Sequence, residues 1–346
     1  MKKSKIILIG AIEEGRVATN GESRKNQLFL ERFRELFDEV ITIDTINWRK
    51  QPWIAFKILW VLLVNPDAKI VISASMNARY LIDFLYILPF KRDVYCWVVG
   101  GSHARLIKEG VYNIKTQTRL KKIIVQGKSM VKELNELGLQ NVVYVPNSKP
   151  VYIIQKAQTQ KKDLIKFVFL SRIHPDKGLK EIIEACKELN KNGYHDRYSV
   201  DFYGAIDKGY NNDFSKLITT CDNVQYRGFL NLTDRTGYEK LAVYDVMLFP
   251  TYWAGEGFPG IVIDSYMAGI PIIATDWMLN SEVIEEGKTG TFIPIRNSNA
   301  LYEKMAKFID SEYDIQKMSK NCLEHAIQFD YKTVINRELM EQLELL

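Results

Sequence analysis

Cysteine is scarce in this sequence of 346 residues, and the few cysteines stand apart from one another. Cys96, Cys186, Cys221 and Cys322 form no CxxC pair, and no group of histidines lies near them in the sequence. This spacing argues against a zinc site and against a disulfide framework. It favours a protein of the reducing cytoplasm.

Long hydrophobic runs are also missing. The longest, Trp53–Val64, contains Lys57 and is shorter than the roughly 20 residues that a helix needs to cross a bilayer. The run Lys5–Ile9 is followed closely by Glu13 and Glu14 and by no small-residue cleavage site, so we expect a buried strand there and not an export signal. Internal repeats and low-complexity tracts are missing too, which argues against a solenoid or a disordered chain.

The charge is distributed unevenly between the two halves. Residues 1–163 hold 27 Lys and Arg against 15 Asp and Glu, a net +12, whereas residues 164–346 hold 20 against 27, a net −7. Opposite signs indicate two domains with different partners. A basic half suits an anionic membrane, or it is ordinary solvated surface. Nucleic-acid binding is not expected, because no reader motif or stacked aromatic platform accompanies the basic residues.

Short β-rich runs alternate with amphipathic stretches along the chain, which predicts parallel sheets with crossover helices. The predicted strands lie at residues 6–9, 40–43, 69–73, 93–99, 121–126, 142–146, 166–171, 199–204, 223–229, 243–250 and 270–276. The polar and basic segment Asn147–Lys162 contains Pro150 and is typical of a linker. The pattern therefore predicts an α/β protein of two Rossmann-like domains whose parallel sheets face each other across a cleft.

The segment Ser171–Gly178 follows one predicted strand and precedes a helix. Its two cations, Arg172 and Lys177, stand where a βα loop and a helix N-terminus can hold a phosphate. Exposed cations are common in loops, so ordinary surface stays the alternative.

A second segment, Glu256–Asp264, follows another predicted strand. Pro259 suits the first turn of a helix, and Gly257 and Gly260 allow a close approach of the backbone to a ligand. The helix start attracts an anion, whereas acids on either side of it accept hydrogen bonds from hydroxyl groups. A ligand that carries hydroxyl groups on both sides of its phosphates is a nucleotide sugar.

Residues 164–310 resemble the donor domain of glycosyltransferase family 4, whose members are retaining enzymes of the GT-B fold. The resemblance rests on LSRIHPDKGLKEIIEAC, VDFYGAID, NVQYRGFL, DVMLFPTYWAGEGFPGIVIDSYMAGIPIIATD and EVIEEGKTGTFIP, in this order. The first half resembles the family in pattern only. The fold then implies an acceptor-binding domain at residues 1–150, a linker at 151–163, a donor domain at 164–329 and a terminal segment, about 330–346, that crosses back to the first domain.

The resemblance implies a role for each matching residue. Arg172 and Lys177 would bind the donor diphosphate, Glu256 would contact the transferred sugar, and Asp264 would hold the ribose hydroxyls. The loop Gly257, Phe258, Pro259 and Gly260 would complete the donor site. The family has Glu where this chain has Asp264, which is about one methylene shorter, and the Gly-Phe-Pro-Gly order is a variant of the family's loop.

The first half offers two further candidates. His103 follows the strand of residues 93–99, where in the resembling family a histidine lies near the reacting sugar; it can donate a hydrogen bond to a hydroxyl or support proton transfer. Gly21 follows the first strand and can bring backbone N–H groups near the diphosphate. Each has a purely structural alternative, a histidine bonded within its loop and an ordinary loop glycine.

The sequence thus predicts a metal-independent retaining glycosyltransferase without a cofactor. It would move a sugar from a UDP- or GDP-sugar to a hydroxyl of a glycan or lipid-linked acceptor, in surface polysaccharide biosynthesis. A nucleotide-sugar 2-epimerase and a non-catalytic sugar-nucleotide-binding scaffold are the alternatives. The expected location is cytoplasmic, with peripheral contact at the inner face of the membrane. The stretch Trp48–Trp60 suits such contact or a partly buried crossover helix.

Overall fold

The computed structural model describes residues 4–18, 20–51, 53–75, 78–88, 92–155 and 163–346, apart from the side chain of Arg49. Contacts divide the chain into two compact units, Met1–Lys149 with Tyr331–Leu346, and Pro150–Asp330. Most of the predicted linker, residues 156–162, lies outside the described residues.

The first unit is a parallel sheet with crossover helices. Its strands are β1 (Lys5–Gly10), β2 (Glu39–Asp44), β3 (Lys69–Ala74), β4 (Val94–Val98), β5 (Lys122–Val125) and β6 (Val142–Tyr144). Its helices up to residue 149 are α1 (Gly21–Leu36), α2 (Ile54–Val64), α3 (Ala78–Ile87), α4 (His103–Lys108), α5 (Ile114–Gln117) and α6 (Lys128–Glu136), with a 3-10 turn at Trp48–Lys50. Among the described residues the strands lie in the order β2-β1-β3-β4-β5-β6.

The inner strands of this sheet are buried on both faces. Ile70, Val71 and Ile72 are consecutive and fully buried, because helices cover both sides of the strand. Such a continuous apolar run is typical of parallel strands and not of a half-exposed antiparallel strand. Helix α1 begins after Asn20, whose side chain accepts a hydrogen bond from the backbone N–H of Ser23.

The second unit repeats the same architecture. Its strands are β7 (Ile165–Leu170), β8 (Tyr198–Tyr203), β9 (Val224–Tyr226), β10 (Val246–Phe249), β11 (Ile272–Thr275) and β12 (Gly290–Ile293). Its helices are α7 (Leu179–Lys191), α8 (Asn211–Ile218), α9 (Arg235–Leu241), α10 (Gly260–Met267), α11 (Asn280–Val283), α12 (Ser298–Ile309) and α13 (Ile315–Ala326), with 3-10 turns at Pro175–Lys177, His195–Arg197 and Ile327–Phe329. The described strands lie in the order β12-β11-β10-β7-β8-β9, all parallel.

The last residues of the chain pack on the first unit. Helices α14 (Tyr331–Val334) and α15 (Arg337–Gln342) bring Ile335, Met340 and Leu343 into its core. The Arg32 Nε atom donates a hydrogen bond to the Ile335 carbonyl oxygen at 2.6 Å. The terminal segment is therefore part of the first unit's hydrophobic core.

The predicted fold class of two parallel α/β sheets is confirmed. Within the stretch Trp53–Val64, residues Ile54–Val64 form the helix α2 that connects β2 to β3, as the crossover interpretation expected, but only Ile58 and Leu62 of α2 are buried. Across the described residues, each helix is too short or too polar to cross a membrane.

Candidate functional site

Two loops meet at the carboxyl edge of the second sheet. Strands β7 and β10 are neighbours, with Phe167 opposite Val246, so the loops that follow them are adjacent. The first loop carries Arg172 and Lys177, and the second carries Glu256. The backbone N–H of Tyr252 donates to the carbonyl oxygen of Asp176 at 2.8 Å and fastens one loop to the other.

The two loops also approach each other closely at Gly178. Its backbone lies in the left-handed region, at φ +78°, and a Cβ atom there would lie 2.3 Å from the Pro250 carbonyl oxygen. Only glycine meets both conditions without strain. Gly178 therefore sets the distance between Lys177, directly before it, and the segment after β10.

Lys177 and Glu256 form an ion pair. The Nζ atom of Lys177 contacts Oε2 of Glu256; Lys177 is buried and Glu256 is partly buried, with 8% and 14% of their side chains exposed. The hydroxyl of Thr251 donates to the same oxygen at 3.1 Å. Among the described residues both contacts therefore fall on Oε2, which leaves Oε1 for another hydrogen-bond donor.

Arg172 lies at the outer side of the same loops. Its guanidinium is half exposed, pairs with Asp207 at 3.4 Å and lies 5.0 Å from the ring centroid of Trp253. The His174 ring packs edge-on against Trp253. Because the Asp176 N–H donates to His174 Nδ1 at 3.1 Å, that nitrogen is an acceptor and the neutral ring carries its proton on Nε2.

The helix start at Gly257–Gly260 differs from the prediction in one position. Helix α10 begins at Gly260, and Pro259 is the extended residue before it and not a member of the first turn. Phe258 is buried and packs against Phe329 at 5.4 Å, so its ring anchors the loop to the core of the unit. Phe258 can serve a ligand only through its backbone.

Asp264 lies one turn inside α10 and is buried, with 4% exposed. Its Oδ1 atom accepts a hydrogen bond from the hydroxyl of Tyr238 at 2.9 Å. The Tyr238 ring stacks on Tyr152 at 5.5 Å. Asp264 and Glu256 thus stand on α10 and on the loop before it, as the sequence predicted, but Asp264 already has a partner in the protein.

The two candidates of the first unit both follow the carboxyl ends of its strands. His103 is the first residue of α4 and is buried; its Nε2 lies 3.1 Å from Gln117 Oε1, and its ring packs on Tyr112 at 4.6 Å. Burial lowers the pKa of His103 to about 4, so the ring is neutral at pH 7. Gly21 is the first residue of α1, and the space around its Cα is open.

The sequence did not predict four further residues that lie at this site: Tyr238, Thr251, Trp253 and Asp207. Thr251 and Trp253 stand in the segment that joins β10 to the Glu256 loop, so the spacing alone could have singled them out. Tyr238 and Asp207 come from separate elements and reach the site only through the fold. In the part of the chain that the structure describes, no group of three or more His, Cys, Asp or Glu side chains could hold a metal ion.

Curated relatives named as glycosyltransferases match part of this chain. WcaL of Escherichia coli K12, named as a glycosyltransferase of colanic acid biosynthesis, is 26% identical over 194 residues, 53% of this chain and 45% of WcaL. The N,N'-diacetylbacillosaminyl-diphospho-undecaprenol alpha-1,3-N-acetylgalactosaminyltransferase of Campylobacter jejuni is 23% identical over 268 residues, 75% of this chain and 63% of that protein. The chain thus spans about half the length of the relative first named here.

The whole fold has solved counterparts. Anabaena HepE, crystallised in complex with UDP, superposes with a TM-score of 0.75 at 16% identity, covering 99% of this chain and all of HepE. This likeness establishes the GT-B fold. The family model of glycosyl transferases group 1 matches residues 152–328, just over half of the chain and nearly all of the second unit, and the chain therefore belongs to that family.

Proposed function

We propose that the chain is a retaining glycosyltransferase that moves a sugar from a UDP- or GDP-sugar to a hydroxyl of a glycan or lipid-linked acceptor in surface polysaccharide biosynthesis. The observation that carries the proposal is the ion pair of Lys177, which is buried, and Glu256, which is partly buried, beside the start of α10. This pair has a cation that suits a phosphate and a carboxylate that suits sugar hydroxyls, both at the carboxyl edge of the second sheet. The names of the relatives and the UDP complex of HepE support the same class of reaction.

Lys177 can serve the donor and Glu256 together. An ammonium group has three N–H donors, and one of them is directed at Glu256. The other two suit the oxygens of a diphosphate, while Oε1 of Glu256 accepts a hydrogen bond from a sugar hydroxyl. The pair thus orients the sugar next to the leaving group, which is the positional effect that transfer requires.

The negative charge of the departing diphosphate needs cations or backbone N–H groups. Lys177, Arg172 and the first N–H groups of α10 supply them, and the proposed reaction uses no metal and no cofactor. Asp207 holds Arg172 at 3.4 Å, so the phosphate would compete with that carboxylate for a half-exposed guanidinium. Asp264, oriented by Tyr238, would accept the ribose hydroxyls.

The first unit would bind the acceptor. His103, neutral at pH 7, would act as a hydrogen-bond donor or acceptor toward a hydroxyl and not as a cation, and the open space at Gly21 would admit a phosphate to the start of α1. We place the enzyme in the cytoplasm, with its basic first unit at the inner face of the membrane.

A panel of UDP- and GDP-sugars tests the proposal. The right donor should raise the melting temperature and, with an acceptor, release nucleoside diphosphate and transfer the sugar with its anomeric configuration kept, as read by NMR. Stabilisation without release would leave a binding scaffold, and a changed sugar without transfer would indicate an epimerase. Loss of activity in EDTA, with rescue by a divalent ion, would contradict the metal-free mechanism.

A further inference from the structure

Helix α2 is apolar on both of its faces, but only one face is buried. Ile58 and Leu62 pack inward. The opposite side, here called the apolar face, exposes between 51% and 75% of each residue: Trp53, Phe56, Trp60, Leu63 and Val64. Continuous exposed apolar surface of this kind marks a place where a protein meets another apolar phase. Exposed Lys50 and Lys57 lie beside it.

A cavity of about 640 Å³ lies behind the apolar face. Its walls come from α2, α3, α5 and the first residues of β3 and β4, and they are mainly aliphatic: Leu62, Ile70, Ile82, Leu85, Leu88, Val94 and Leu120. Leu62 belongs both to this wall and to α2, so the cavity and the apolar face share one helix.

Two arginines line the cavity together with Tyr86 and Thr116. Arg92 donates from Nη2 to the Leu62 carbonyl oxygen, whereas its Nη1 is buried and has no hydrogen-bond partner among the described residues. Arg119 lies over the Tyr86 ring at 4.1 Å. The described lining contains no carboxylate. A buried guanidinium nitrogen without a partner is costly, and an anionic oxygen would satisfy it.

The strand residues that line the cavity lie at the opposite end of the sheet from the candidate site of the first unit. Ile70 and Val94 stand at the beginnings of β3 and β4, whereas His103 follows the end of β4. In a parallel sheet these are opposite edges. The strands therefore line the cavity away from the edge at which an acceptor hydroxyl would react, while α5 contributes Thr116 to the cavity and Gln117 to the contact with His103.

We propose that α2 and this cavity bind one phospholipid of an anionic bilayer. The apolar face enters the interface, an acyl chain occupies the aliphatic cavity, and the phosphate lies between Arg92 and Arg119. The first unit holds 26 Lys and Arg against 17 Asp and Glu, a net +9, which favours an anionic surface and disfavours a second copy of the same basic unit. The inference gives the membrane contact of the proposed function a specific site, and it does not depend on the sugar donor.

Vesicle flotation of the full chain tests this site, with phosphatidylcholine vesicles that contain or lack phosphatidylglycerol. We expect binding only to the anionic vesicles, and a loss of about tenfold or more in partitioning for Arg92→Gln with Arg119→Gln. The matched control removes two exposed lysines from helices outside the cavity, Lys108→Gln with Lys132→Gln. Equal losses in the two variants would overturn the headgroup site, because bulk charge would then explain them.

The apolar face is tested by Phe56→Ser with Leu63→Ser, which should also lower partitioning about tenfold. Quenching of tryptophan emission by lipids with brominated chains checks the same face without disturbing the fold: the wild type should be quenched, and Trp60→Phe should lose part of that quenching. No quenching, or a dimer in sedimentation that Phe56→Ser dissolves, would overturn membrane docking. Donor-induced melting shifts of every variant report the sugar-nucleotide site separately.

Discussion

At the scale of single residues, Lys177 and Glu256 contribute both to the stability of the fold and to the proposed catalysis. Lys177 is buried, Glu256 is mostly buried, and each neutralises the other, so removing one leaves an unpaired charge in a poorly solvated place. A substitution that lowers turnover could therefore act through the stability of the loop. The two effects separate only when both charges are removed at once.

We expect Lys177→Met and Glu256→Gln each to lower the free energy of unfolding by roughly 3 kcal/mol. The double variant should recover most of that stability, because no charge is left unpaired. Turnover should stay about 10²-fold or more below the wild type in all three variants, because the diphosphate has lost a cation or the sugar an acceptor. Chemical unfolding and steady-state kinetics measure the two effects; a double variant that regains turnover would refute the catalytic role.

Lys25 in α1 is a second buried cation, and its effect depends on pH. Its stem is half-buried, while Nζ is buried 5.2 Å from the Phe29 ring centroid and makes no hydrogen bond to a described residue. Burial lowers the pKa of Lys25 to about 7, whereas an unfolded lysine keeps its proton until about pH 10.4. Between these values the unfolded state binds more protons, so stability rises with pH.

Lys25→Met should remove this dependence. Relative to the variant, the wild type should gain up to about 1.4 kcal/mol of unfolding free energy per pH unit from pH 7 to pH 10. The variant should also be the more stable protein at pH 7, where the wild type bears the cost of the buried charge. Urea unfolding at several pH values measures both; parallel curves for the two proteins would show that Lys25 is solvated.

At the scale of elements, the sequence predicted strands and helices well and side-chain partners poorly. The run at 69–73 and the helix of α7 follow local patterns of apolar residues, and both formed where expected. The predicted position of Pro259 in the first turn of α10 was wrong by one residue, because proline also fits the position directly before a helix. Tyr238 could not be predicted, since its bond to Asp264 spans 26 residues and depends on how α9 packs against α10.

Gly178 is a single residue that sets the distance between two elements, the loop of Lys177 and the segment that follows β10. Gly178→Ala should displace the Lys177 loop from Pro250, because its Cβ would lie 2.3 Å from a carbonyl oxygen at a φ that alanine avoids. We expect a loss of about 2 kcal/mol or more in stability and a weaker donor-induced melting shift. Gly193→Ala is the matched control: it also has a positive φ, at +84°, but open space around it. If the two substitutions had equal effects, backbone strain alone would explain the loss and the contact with Pro250 would not contribute.

At the scale of the whole molecule, the chain returns to its first unit at the end. Ile335, Met340, Leu343 and Leu345 are buried in the core that β1, β3 and β4 build from residues more than 200 positions earlier. Tyr95 donates to the Glu344 carbonyl oxygen at 2.8 Å in the same region. The first unit can therefore complete its core only after the second unit has been synthesised.

Met340→Ala should destabilise the first unit selectively. Deleting a fully buried methionine costs about 2–5 kcal/mol, and the cavity would lie in the first core only. Met305→Ala is the counterpart in the core of the second unit, where Met305 is equally buried. Hydrogen exchange should show faster opening at Ile70–Ile72 in the first variant and at Phe167–Phe169 in the second. The sugar donor provides a second measurement of the same selectivity. It is proposed to bind beside the Lys177–Glu256 pair in the second unit, so it should stabilise that unit. The donor should therefore protect Met305→Ala from thermal unfolding more than it protects Met340→Ala. Equal opening of both cores in both variants would mean that the two units unfold as one.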